Sequence, residues 1–454
     1  MKRRIAASLA WMLALGCLPA SADILTLQQA LAAAYESNPD LEGARAGLRA
    51  VDEGVAQANA GWRPQVNASG TYGVSHGQVT GFASAFNSHP LTGSVSVVEP
   101  IFRGGRTTAQ IGRAIALVHS ARAELADAER TVLLQAVTAY LDVVRDERIL
   151  TLNQDNVHTL QTELDAVRTQ KNAGAVTRTD VDQAEARFAR AQSDLAAARR
   201  QLVASREAFV RVIGRPAPTL EGTPPLPTLP ANLESARAIG DKWSPRILQA
   251  KADWKAADYA VADAVGAMLP QVSISGQAQY LRDAAGTNVF STKEPQTILS
   301  ITGQVTVPIY QGGAEEATVR RAKELRGQSQ LAIVAAQRAV QEDVGNAWEA
   351  YSAARAQIAA NDAQVAADQH ALDGVKQEQE AGERQVLDIL NAQQELLSAE
   401  IAAAAARHDA GVAAYRLLWA TGQLNARSLA LPVTPYDPKE HYDSNADAWF
   451  DLGE

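Results

Sequence analysis

The chain has 454 residues and carries 42 Lys and Arg against 51 Asp and Glu, a formal net charge of −9. That acidic balance argues against nucleic acid as a partner. The single cysteine, Cys17, leaves no disulfide to form, and beyond the N-terminal leader no stretch approaches the ~18 consecutive apolar residues that a membrane helix needs.

The leader itself is tripartite: Lys2, Arg3 and Arg4, an apolar run from Ile5 to Leu18, then Ala20-Ser21-Ala22 before Asp23. This layout predicts a secretory signal over residues 1–22, with the mature chain beginning near Asp23. Ala14-Leu15-Gly16-Cys17 also reads as a lipoprotein processing site. Such a site wants a leucine three positions before the cysteine, where Ala14 stands, so cleavage after Ala22 is the preferred reading.

The rest of the chain is written twice. Pro39, Pro64, Gln65, Val66, Ser69 and Gly70 return as Pro245, Pro270, Gln271, Val272, Ser275 and Gly276, an offset of 206 residues. From Pro100 onward the offset is 208: Pro100, Gly104, Gly105, Gly174, Asp180 and Gly214 return as Pro308, Gly312, Gly313, Gly382, Asp388 and Gly422. A two-residue slip confined to one variable stretch is what unequal loops between two copies of one unit leave, so a tandem duplication is predicted. Its parts are the signal, residues 1–22, a first repeat over 23–213 and a Pro-rich linker over 214–232. A second repeat over 233–425 and an irregular C-terminal tail over 426–454 follow.

Two segments per copy alternate with period two. They are Val66 to Val74 and Leu91 to Val97 in the first, Val272 to Tyr280 and Leu299 to Val307 in the second. They last seven to nine residues, close to the ~9–11 of a tilted strand crossing an outer membrane. A half-buried soluble sheet shares this alternation. The polar faces here lack charge, however, and Tyr72, Phe102, Tyr280 and Tyr310 lie near strand ends, where interfacial aromatics sit, so membrane strands are preferred. Four strands cannot close a barrel, and open edges are not tolerated in lipid, so several chains must share one barrel.

Between and after the strands lie long proline-free runs, from Pro100 to Pro216 and from Pro308 to Pro432. With a turn at Gly174 the first run holds one helix from about Arg106 to Asn172 and a second from about Thr179 to Ile213, the longer spanning ~100 Å. Val340, Val344, Ala347, Tyr351, Ala354 and Ile358 step by four and three, as do Ile389, Ala392, Leu396, Ala399 and Ala403, which is coiled-coil spacing. Seams so rich in alanine predict closely spaced helices forming a wall.

Catalytic chemistry has no visible seat. The seven histidines are scattered, none three or four residues from another, and there is no phosphate loop, no nucleophile elbow and no cysteine nucleophile. The expectation is a protein with no enzymatic activity and no cofactor. Gly104-Gly105 and Gly312-Gly313 read as strand-to-helix hinges.

The residues are similar to those of the TolC family of outer-membrane export channels, nearest to its type I secretion subgroup. The likeness runs from Leu25-Thr26-Leu27-Gln28-Gln29-Ala30-Leu31 with Asn38-Pro39 to the tail Leu429-Ala430-Leu431-Pro432-Val433-Thr434-Pro435-Tyr436. Its most specific part is Gly382-Glu383-Arg384-Gln385-Val386-Leu387-Asp388-Ile389-Leu390-Asn391-Ala392-Gln393-Gln394-Glu395-Leu396, with Ala414-Tyr415-Arg416-Leu417-Leu418 after it. The resemblance implies a homotrimer. Twelve strands, four per chain, form one barrel among outer-membrane lipid, and twelve helices form a tunnel in the periplasm. Cargo, a secreted protein with small toxic compounds as a second class, passes from an inner-membrane ABC or RND transporter through a periplasmic adaptor. Two rival readings are an efflux-pump lipoprotein anchored through Cys17 and a periplasmic coiled-coil scaffold without a pore.

The resemblance also implies a closed end at the hairpin turns, Gly174 and Gly382. The family's two acidic constriction positions fall on Asp388, which matches, and on Asn391, which does not. A ring of three Asp388 carboxylates favours cations, while Asn391 makes a polar, uncharged second ring or an ordinary helix-surface residue. Arg384 matches the family's latch arginine, and Thr179 with Asp180 its partner segment; Gln379 stands where a tyrosine is found and alters that arm. Ordinary helix-end charges are the alternative for Arg384 and Asp180.

Overall fold

The computed structural model describes residues 24–78, 85–283 and 294–449. The signal reading and Cys17 lie outside the described residues. In chain order the elements are α1 (Leu27–Ser37), α2 (Pro39–Asn59), β1 (Gln65–Tyr72), β2 (Ser75–Gln78), β3 (Ala85–Ser88), β4 (Leu91–Arg103), α3 (Arg106–Asn172) and α4 (Arg178–Ile213). The second copy contributes α5 (Leu233–Trp243), α6 (Pro245–Gly266), β5 (Gln271–Arg282), β6 (Gln296–Thr306), α7 (Ala314–Glu380) and α8 (Val386–Thr421), and the tail holds α9 (Glu440–Asn445). Helices α3 and α7 each have 67 residues and α4 and α8 each have 36. The helical parts of the two copies therefore match in length, and the difference in spacing falls outside them.

The same local devices start and stop these elements in both copies. Asn38 caps α2, its side-chain oxygen accepting from the Asp40 and Leu41 amides at 3.0 and 3.3 Å, and Pro39 occupies the first turn, where no amide is needed. At α6 Pro245 again occupies the first turn, but the preceding Ser244 makes no side-chain cap. The strand-to-helix hinges require glycine: Gly104 and Gly105 have φ of +64° and +79°, and Gly312 and Gly313 have +67° and +83°. At Gly104 a Cβ would also sit 2.3 Å from the Gly266 carbonyl oxygen.

Two compact units organise the chain, each drawn from both copies. Of the described residues, the first holds 24–34 with Ala136–Leu226 and Ala359–His408. Its core joins Leu160, Leu164 and Val167 of α3 with Val181, Ala184 and Ala191 of α4 and Val386 and Leu390 of α8. Tyr140, fully buried, donates to the carbonyls of Leu25 (2.9 Å) and Glu221 (2.8 Å), and this fastens the linker beside a bridge between Leu25 and Leu220.

The second unit holds Tyr35–Gln135, Pro227–Ile358 and the chain from Asp409. Ala236 and Ile247 pack with Ala336, Val340, Val344 and Ala347 of α7 and Leu417 and Ala420 of α8, so the coiled-coil stripe read from the sequence is buried. A Cβ on Gly240 would lie 3.2 Å from both Val340 and Val344, which shows how closely the small residues let helices approach. Arg130 is buried, pairs with Asp127, donates to the Trp419 carbonyl at 2.8 Å and stacks 4.3 Å over that ring.

This unit carries the sheet, an antiparallel set in the order β1-β4-β5-β6. β4 and β5 have a partner on each side. β1 and β6 are edges, and every residue of both is exposed, with Leu299, Ile301 and Val305 of β6 exposed by 77, 85 and 66 %.

The strand reading needs three corrections. A separate two-stranded ribbon, β2-β3, accompanies the four expected strands. It lacks the apolar alternation that marks the others and is held by polar pairs, Ser75 Oγ with Ser88 Oγ and His76 Nδ1 with Asn87 Oδ1, both at 2.6 Å. β4 runs beyond Val97 to Arg103, with Pro100 opposite Ser273 and a register irregularity between Pro100 and Phe102. The corresponding Pro308 and Ile309 have no partner strand among the described residues, and β6 stops at Thr306. The tail, read as irregular, contains α9.

Candidate functional site

The two hairpin turns of the first unit are built alike. At the end of α3 the Gly174 amide donates to the Lys171 carbonyl and the Ala175 amide to that of Gln170, both at 2.9 Å. At the end of α7 Gly382 donates to Gln379 and Glu383 to Glu378, again at 2.9 Å. This is the Schellman arrangement, and it places Gly174 and Gly382 in the left-handed region, with φ of +77° and +81°.

The helices that return from the turns begin at equivalent aspartates. At α4 the Thr177 hydroxyl accepts from the Asp180 amide at 3.3 Å, while Asp180 Oδ2 accepts from the Thr177 amide at 2.8 Å and from its hydroxyl at 2.7 Å. The Thr177 hydroxyl, and after it the Thr177 backbone amide, hold the Asp180 carboxyl below the usual carboxylate range. At α8 the cap position is Gln385, and Asp388 Oδ2 accepts from its amide at 3.2 Å. Both aspartates are thus half-buried and turned back on their own helix starts.

The other sequence-singled residues fall around these turns. Arg384 donates from Nε to Glu378 Oε2 at 2.8 Å across its own turn, so its partner within the chain is Glu378. Thr179 is exposed in the first turn of α4, and Gln379 is half-buried, its carbonyl taken by Gly382. Asn391 accepts from Arg187 Nη2 at 2.9 Å, a bond that ties α4 of the first copy to α8 of the second. Arg187 carried no signal in the sequence, because its partner lies 204 positions away and its counterpart in the second copy is Glu395. Of the aromatics, Tyr72 ends β1, Phe102 and Tyr280 lie near the ends of β4 and β5, and Tyr310 follows β6; their exposures are 70, 44, 41 and 77 %.

Residues 30–215 and 242–423 match the family model described as outer membrane efflux protein. The chain belongs to the outer membrane efflux protein family. Its relatives include the outer membrane efflux protein BepC of Brucella suis biovar 1 (strain 1330), 36 % identical over 94 % of this chain and 92 % of BepC. The outer membrane protein TolC of Escherichia coli (strain K12) is 25 % identical over 89 % of this chain and 83 % of TolC. Among solved structures the chain resembles the Campylobacter jejuni CmeC outer membrane channel, with a TM-score of 0.78 at 15 % identity over 92 % of this chain and 89 % of CmeC. It also resembles the open state of the Neisseria gonorrhoeae MtrE outer membrane channel, with a TM-score of 0.72 at 22 % identity over 88 and 89 %. The fold is therefore the duplicated helix-and-strand channel fold of this efflux family, and the protein is an outer-membrane protein. The family match breaks between 215 and 242, where the linker joins the copies. Among the described residues no helix is long and apolar enough to cross a membrane.

Proposed function

We propose that three copies of this chain form the outer-membrane exit duct of a tripartite export system. In this reading they pass a secreted protein, and secondarily small toxic compounds, from an inner-membrane ABC or RND transporter through a periplasmic adaptor. The observation that carries the reading is the four-stranded sheet with edges at β1 and β6 and apolar side chains exposed along it. Unpaired strand edges are not sustainable in lipid. Joining β6 of one copy to β1 of the next removes every edge when three copies close a twelve-stranded barrel. Leu325, Leu331 and Val334 of α7, exposed by 47, 71 and 40 % in the single chain, are then covered by the neighbouring copy.

The repeats, residues 23–213 and 233–425, supply a helical hairpin each, six per trimer, which line a periplasmic tunnel that narrows at the turns. Asp388 forms its charged ring and Asn391 a polar ring beside it. The latch forms between neighbouring hairpins when Arg384 exchanges Glu378 for the Thr179-Asp180 segment of the next. The Arg187–Asn391 bond adds a tie inside each chain. Opening separates these contacts as a two-state change driven by adaptor and transporter.

Deleting the gene tests the cargo. The reading expects a protein to vanish from the culture medium, with a modest rise in drug sensitivity. Drug sensitivity with unchanged secretion assigns the duct to efflux alone, a branch supported by BepC's being named an efflux protein.

A further inference from the structure

The C-terminal segment lies on α2 within the second unit and is held there at three places. Tyr436, whose amide donates to the Tyr35 hydroxyl at 2.9 Å, stacks 5.2 Å from the Arg45 guanidinium, which lies 4.6 Å from the Tyr35 ring on its other contact. At the far end Asn59 donates to the Ala446 carbonyl at 2.9 Å. Arg63 donates to the carbonyls of Ala448 (2.6 Å) and Asp447 (3.2 Å) and stacks 4.8 Å from the Trp449 ring. These fastenings use backbone groups, an asparagine amide, a tyrosine hydroxyl and permanently charged arginines.

The middle fastening is different. Asp52 of α2 has a side chain only 1 % exposed, and neither of its carboxylate oxygens has a well-formed hydrogen bond. Two basic side chains face it. Arg122 of α3 has buried Nε and Nη2 atoms that likewise lack a partner, and its guanidinium stacks 5.3 Å from the Tyr442 ring. His441 of α9 places Nδ1 3.5 Å from Asp52 Oδ2 and Nε2 3.5 Å from Glu53 Oε1. That distance is long for a well-formed hydrogen bond. Glu440 and Asp443 of α9 add further negative charge on the same short helix.

A histidine with a carboxylate at each ring nitrogen is a proton-dependent part. The neutral ring has one N–H and one lone pair, so one of its nitrogens turns an acceptor toward a carboxylate oxygen. The imidazolium has two N–H donors and satisfies both. A buried carboxylate that accepts no hydrogen bond also depends on cationic neighbours to stay ionised.

We propose that the C-terminal segment from Leu431 to Trp449 is an acid-fastened clasp, seated on α2 when His441 is protonated between Asp52 and Glu53 and released around α9 when that proton leaves. Raising the pH removes the cation and leaves a lone pair facing a carboxylate, so the clasp loosens toward alkaline pH. Burial pushes the Asp52 carboxyl above its usual range, opposed first by Arg122 and then by His441. A carboxyl that holds its proton more tightly in the seated state favours that state as the pH falls, so the clasp is released only toward alkaline pH.

Hydrogen–deuterium exchange on the full chain in detergent, corrected for the intrinsic pH dependence of amide exchange, tests this. Amides of Glu440–Asn445 are compared at about pH 6 and about pH 8.5, the span over which imidazole changes charge. Peptides from α5 and α6 serve as the reference for global unfolding. Protection of α9 should fall by at least about tenfold at the higher pH, the scale of a lost charge-assisted contact, while the reference stays unchanged. His441→Gln should show the low protection at both pH values and His441→Arg the high protection at both. Equal wild-type protection at the two pH values overturns the proposal, and so does a pH response that survives in His441→Gln.

Discussion

The duplication supplies its own internal controls at the level of single residues. Thr177 and Gln385 occupy the same position in the two copies, and only threonine completes a reciprocal cap with the following aspartate. Gln385→Thr is therefore expected to raise stability by roughly 0.5–1 kcal/mol and Thr177→Ala to lower it by about 1 kcal/mol, both read from thermal unfolding. The cap also fixes a pH response. Because the folded Asp180 carboxyl lies below the unfolded value of 3.8, its contribution is complete above that value. It is lost as the pH falls through the depressed one. Corrected for intrinsic exchange, protection of the amides in the first turn of α4 should fall only in strong acid, and a loss of protection already near neutrality would contradict this. The two kinds of glycine separate in the same way. A Cβ on Gly174 or Gly382 meets nothing within 4 Å, so Gly382→Ala costs only the left-handed backbone penalty, about 1–2 kcal/mol. Gly104→Ala adds a clash with the Gly266 carbonyl and should be the more damaging change by melting temperature.

Among the elements, the long helices were the most legible in the sequence. α3 spans Arg106–Asn172, as the proline-free run and the glycines at its ends imply, and α4 begins one residue before the expected Thr179. These limits are set by backbone chemistry that single residues announce. The coiled-coil stripe was legible for a similar reason: Val340, Val344, Ala347 and Ala354 are all at most 5 % exposed. What stayed hidden depends on partners far away in sequence. The β2-β3 ribbon is closed by serine and His–Asn pairs, β4 is prolonged because β5 pairs with it, and α9 is a six-residue helix resting on α2. The Arg187–Asn391 bond and the Asp52–Arg122–His441 cluster have no periodicity at all. Their members are polar residues on separate helices whose meeting follows only from the packing.

The sheet's open edges and the exposed apolar face of α7 make assembly the decisive feature of the molecule. A fully buried side chain such as Leu417 stabilises the chain itself, so Leu417→Ala should cost about 2–5 kcal/mol whatever the oligomeric state. Leu331, 71 % exposed in the single chain, has little to lose there. Leu331→Glu is expected to leave secondary structure intact while shifting native mass in detergent from trimer toward monomer; an unchanged trimer would place the interface elsewhere. The central claim, that three chains close one conducting duct gated at the hairpin turns, is tested most directly by single-channel conductance of the detergent-purified protein in a planar bilayer. Wild type should give small, cation-selective steps, Asp388→Ala should lose the selectivity, and Arg384→Ser should enlarge the steps. A stable trimer that conducts nothing in any of the three forms would contradict it.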